Sequence, residues 1–145
     1  MNVVTPVDLD RLAPIPRSRL TLEVLRTYLR VRWLMRQDNP ERAVKALRAR
    51  AAGSGMRFEE GEDAEFIAAW RLANATRKVL TRLPSDSRCL FRSLTLMCML
   101  ERRGITQMLV IAVRPAPFAA HAWVEVAGEA VLPVADLGYE RLLEL

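Results

Sequence analysis

Residues 89–104 read CLFRSLTLMCMLERRG, and this stretch decides the fold. Leu90, Phe91, Leu94, Leu96, Met97, Met99 and Leu100 cover most of the circumference of a helix. A helix apolar on most sides belongs in the middle of a domain. Asp86 or Ser87 is placed to cap its start just before Arg88, and Gly104 stands where a helix ends in the left-handed conformation. Cys89 therefore falls in the first turn, among unpaired backbone N–H groups and at the positive end of the helix dipole. Both favour a thiolate, and the Cys89 N–H is itself available to a developing oxyanion. Arg92, three residues on, shares the face of Cys89. Cys98 lies ~13 Å further along the axis and about half a turn round it, so the two sulfurs cannot pair within an intact helix. Its Leu and Met neighbours mark it as a small core residue.

Downstream the pattern changes from helical to extended. Ile105–Val113 is an apolar run read as a buried strand, Arg114–Phe118 a prolyl turn, and Ala120–Val126 a second strand. Ala127 and Gly128 turn the chain into a third strand over Ala130–Val134, and Tyr139–Leu145 is expected to close as a short helix. Upstream, residues 1–19 with Pro6, Pro14 and Pro16 read as an extended arm. A first helix over 20–36 places Leu22, Leu25, Leu29 and Trp33 at helical spacing. A second helix starts from an Asn39 cap with Pro40 at its first position, and turns Ala43, Val44 and Leu47 inward. Gly53, Gly55 and Gly61 mark a connection. A third helix, about Asp63–Arg82, has Phe66, Ile67, Trp70, Ala73 and Leu80 as its apolar side, and Pro84 ends it. Helices first and a meander of strands after them make an α+β fold, one domain over 1–145 with a helical part (1–88) followed by the central helix and sheet (89–145).

Composition narrows the chemistry. With 145 residues there is room for one domain. Two cysteines and one histidine are too few for a four-ligand Cys/His zinc site or a disulfide scaffold. No apolar run approaches the ~20 residues that span a bilayer, and the N-terminus lacks signal-peptide architecture, so a cytoplasmic protein with reduced thiols is expected. The net charge of +5 is carried almost entirely by arginine, Lys45 and Lys78 being the only lysines. This basic surface suits an acidic peptide or partner; no nucleic-acid-binding motif accompanies it.

If Cys89 is a nucleophile, its base can only be His121. On a strand, His121, Trp123 and Glu125 share one face, with Ala122, Val124 and Val126 on the other. The imidazole needs an acceptor for its second nitrogen. Asp136, on the next strand, is the candidate; Glu125 lies on the correct face but ~13 Å along an extended chain, and Glu129 sits in or beside the turn.

A helix-start cysteine, a strand histidine and a later acid occur in the order of papain-like and transglutaminase-like cysteine enzymes. Cys89-Leu90-Phe91-Arg92-Ser93-Leu94 running to Arg103-Gly104 resembles the C-L-x-R-S/A-L…G helix of lasso peptide leader peptidases. Phe118-Ala119-Ala120-His121-Ala122-Trp123-Val124-Glu125 followed by Gly128 resembles their F-x-A-H-A-W-V-E…G strand. The resemblance implies a transglutaminase-like cysteine protease that removes the leader of a ribosomally made lasso precursor, with Cys89, His121 and Asp136 as its triad and no cofactor or metal. It looks like the short, split form, which works with a separate leader-recognition protein, and it implies an ATP-dependent macrocyclase that takes the freed core peptide. The family's acid follows the histidine more closely, at a place near Pro133 here. Either an altered hairpin brings Asp136 back, or another acceptor orients the ring, or the site is a dyad. Two other readings compete: an acyltransferase that delivers the acyl group to an amine, and a non-catalytic peptide-binding adaptor.

Overall fold

A helix from Cys89 to Arg102 forms where the apolar pattern places it, and every residue from Ser93 to Leu100 in it is buried. The computed structural model describes residues 17–37, 39–52, 61–83, 89–132 and 138–145. Among these residues the order is α1 (Arg17–Gln37), α2 (Pro40–Ala52), α3 (Glu62–Leu80), α4 (Cys89–Arg102), β1 (Met108–Pro115), β2 (Phe118–Val126), β3 (Glu129–Ala130) and β4 (Glu140–Glu144). The architecture is α+β: helices α1, α2 and α3 pack around α4, and α4 packs on β2 of an antiparallel sheet ordered β3-β2-β1-β4. No helix among the described residues is long and apolar enough to cross a membrane.

Local chemistry explains most boundaries. The Asn39 side chain accepts the Glu41 N–H at 3.1 Å, capping α2 behind Pro40. Ala43, Val44 and Leu47 are buried, as their spacing requires. At the end of α4, Gly104 has φ +69°, the Ile105 N–H reaches the Leu100 carbonyl and the Gly104 N–H reaches that of Glu101. This is the paired Schellman arrangement, and it buries Ile105 against the helix end. Ala127 and Gly128 both take positive φ, 52° and 81°, forming the two-residue turn between β2 and β3.

Four expectations are corrected. First, Tyr139–Leu145 is not a helix. Its Glu, Arg and Leu residues favour helix locally, but β4 pairs with β1, and Leu109 and Leu145 exchange both backbone hydrogen bonds at 2.8 Å. The sheet is thus a three-strand meander with a fourth strand returned to the β1 edge, where Arg48 of α2 donates to the Leu145 carbonyl at 2.6 Å. Second, α1 starts at Arg17 and buries Val24, Thr27, Tyr28 and Val31. Leu22, Leu29 and Trp33 are 47%, 62% and 55% exposed. The chosen face also carries the polar anchors: Arg103 grips Glu23 with both terminal nitrogens at 2.8 and 2.9 Å, and Arg102 donates to Thr27 Oγ1 at 3.1 Å. Third, Trp70 of α3 is half exposed rather than part of the core; Ala69, Leu72, Ala73, Thr76 and Leu80 form the buried side. Fourth, β1 begins later than expected, at Met108, and β1 and β2 run closer to their turn, leaving only Ala116 and Pro117 between them. β3 is two residues long, although Val131 N–H still reaches the Val124 carbonyl at 3.0 Å. The expected residues of the N-terminal arm before Arg17, the Gly53–Gly55 connection, Pro84, the Asp86 or Ser87 cap and the rest of the third strand beyond Leu132 lie outside the described residues.

Candidate active site

Cys89 is the first described residue of α4, at the end of the helix where backbone N–H groups lead. One turn later on the same face, the buried Ser93 Oγ donates to the Ala122 carbonyl at 3.0 Å. That bond ties the first turns of α4 to the residue next to His121, so the Cys89 face of the helix is turned to β2. Ala122, Val124 and Val126 are buried on the helical side of the strand. The other face carries His121, Trp123 and Glu125, as the alternation predicts. The Trp123 Nε1 donates to Glu125 Oε1 at 2.9 Å, which confirms that these two side chains share a face.

Cys89 and His121 line one cavity of about 540 Å³. Its walls come from α3 (Trp70, Asn74, Arg77), α4 (Arg92, Ser93) and β2 (Trp123). The His121 ring lies between two aromatic neighbours, with centroids 5.8 Å from Trp123 and 5.8 Å from Tyr139, the residue just before β4. Burial, and secondly the Arg92 guanidinium, hold the His121 imidazole below its ordinary pKa. It is therefore neutral at neutral pH, the form in which it accepts a proton. Cys98 is the opposite case: burial pushes its thiol up to about 11, so it stays a protonated core residue.

Asp136 lies outside the described residues. No hydrogen bond joins a His121 ring nitrogen to another described residue. Glu125 is committed elsewhere: Arg141 of β4 pairs with it at 2.7 and 3.3 Å while Trp123 donates to it, so this carboxylate fastens β4 across the outer face of the sheet. Among the described residues no three His, Cys, Asp or Glu side chains converge to hold a metal ion.

Sequence reasoning singled out Cys89, Arg92 and His121, and all three are among the residues lining this cavity. It missed Ser93 as the tie between helix and strand, and Trp70, Asn74, Arg77 and Tyr139 as neighbours of the site. Arg77 and Tyr139 reach the site only through tertiary packing.

The chain matches no curated protein and no solved structure. A sequence profile described as the transglutaminase-like superfamily matches residues 22–143, from within α1 to within β4, and the chain belongs to that superfamily.

Proposed function

We propose that the protein is a cysteine peptidase that removes the leader from a ribosomally synthesised lasso peptide precursor, acting with a separate leader-recognition protein. The observation that supports this reading is that Cys89, at the start of the central helix, and His121, on β2, are both among the residues lining one cavity. The helix motif around Cys89 and the strand motif around His121 support the substrate class.

The chemistry follows from those two side chains. His121, neutral, takes the Cys89 proton as the sulfur attacks the carbonyl that ends the leader. The oxyanion forms beside the unpaired N–H groups of the first turn of α4. Collapse breaks the C–N bond, and the His121 proton leaves with the amine of the core peptide. The leader remains as a thioester on Cys89. His121 then takes a proton from water as the water oxygen attacks, the leader departs with a new carboxylate, and the proton returns to sulfur. Asp136 is proposed to steady the imidazolium.

The test is cleavage of the precursor in the presence of its recognition protein. Cys89→Ala and His121→Ala should each reduce the rate by about 10³-fold or more. Persistent cleavage by both variants would remove the peptidase reading. Mass spectrometry of the leader distinguishes hydrolysis, which adds water, from acyl transfer, which adds an amine.

A further inference from the structure

Two arginines border the cavity that holds Cys89 and His121: Arg92 on α4 and Arg77 on α3. They differ in how they are held. Arg77 is exposed, and its terminal nitrogen donates to Asn74 Oδ1 at 3.1 Å, while Asn74 Nδ2 donates to the Trp70 carbonyl at 3.0 Å. This relay along one face of α3 sets Arg77 at the rim. Arg92 is half-buried, and its Nε is shut off from solvent with no hydrogen-bond partner. A buried donor of a charged group left without an acceptor is unfavourable. None of the described residues lining the cavity is acidic. Two arginines thus border a cavity to which the described residues bring no counter-charge, and the field of Arg92 reaches His121.

We infer that Arg92, assisted by Arg77, forms an anion subsite beside the Cys89 sulfur, and that it takes the carboxylate of an Asp or Glu side chain in the bound peptide. A carboxylate matches the guanidinium fork in shape and charge and would pair with its terminal nitrogens. Trp70 and Trp123 on the same walls give the neighbouring part of the peptide an apolar surface to lie on. The assignment of the anion to a peptide rests on the peptidase reading; the subsite itself does not.

Alkylation of Cys89 tests the subsite without any peptide. Iodoacetate and iodoacetamide both transfer a two-carbon group to sulfur with loss of iodide, and differ only in carrying a carboxylate or a neutral amide. The ratio of their rates cancels any change in the thiol itself. The ratio at Cys89, divided by the ratio for free cysteine in the same buffer, should be raised roughly tenfold, the factor that one charge-assisted hydrogen bond supplies. Arg92→Met should return it to near one, and Arg77→Met should lower it partway. Thermal midpoints of both variants report whether they fold; Arg92→Met, which removes the unsatisfied Nε, should not fall below the parent. A ratio in the parent equal to that of free cysteine, or one unchanged in Arg92→Met, overturns the subsite.

The second arm replaces each Asp and Glu of the precursor by its amide. Loss of cleavage for one replacement, with a smaller loss in Arg92→Met, supports the assignment to a peptide carboxylate. Equal cleavage of every replaced precursor overturns that assignment. Failure to cleave any precursor removes the peptidase reading, while the alkylation ratio still decides the subsite.

Discussion

His121 is the single histidine of the chain, so its titration is read from one imidazole signal. Its folded pKa is depressed, by burial first and by Arg92 second. The midpoint in a proton NMR titration should fall below about 6.5. Arg92→Met should move it upward while leaving the larger contribution of burial in place. A parent midpoint at or above 6.5 would contradict the placement of the ring. The same shift bears on stability. An unfolded histidine takes its proton at higher pH than the folded one, so the contribution of His121 is fully present above the unfolded value. It is lost as pH falls through the folded one.

At the scale of elements, the decisive contact is between α4 and β2. Ser93 sits one turn after Cys89, and its hydroxyl holds the Ala122 carbonyl. Ser93→Ala should cost about 1 kcal/mol in denaturant unfolding. On the proposed peptidase reading it should also lower kcat more than it changes KM, because the bond it removes ties the helix of Cys89 to the strand of His121. An unchanged kcat in a folded Ser93→Ala protein would show that alignment is set elsewhere. Which elements could be read from the sequence follows from where their information resides. The α4 pattern, the Asn39 cap and the Ala127-Gly128 turn are local signals, and each produced the observed structure. α1 has two apolar stripes at helical spacing, and nothing within the helix says which is buried. The choice is made by Arg102 and Arg103 on α4, far along the chain. β4 was illegible for a similar reason, since its residues favour helix until β1 offers an edge. Of the site, the cysteine and histidine carried motifs, whereas Arg77 and Tyr139 are brought there only by packing.

For the whole molecule, the two thiols separate function from folding. Cys89 lies in the open cavity, and Cys98 lies in the core with its thiol pushed up to about 11. Under native conditions a thiol reagent should label one equivalent per chain, at Cys89. Cys98 should react only through global unfolding, so its labelling rate should follow the unfolding equilibrium as denaturant is raised. Rapid labelling of both thiols in the native chain would contradict a core built around α4. The cavity has no wall of its own: α3, α4 and β2 each contribute one, so it exists only when the helical and sheet halves are joined.

The placement of the tryptophans gives that cavity an optical signature. Trp33 lies on the exposed face of α1, but Trp70 and Trp123 are cavity walls, and Trp123 lies against the imidazole that titrates. Indole emission depends on local polarity and is quenched by a neighbouring imidazolium. Two of the three indoles therefore sense ligand entry, Trp123 also senses the protonation of His121, and the unlabelled protein reports the state of its own site in its fluorescence.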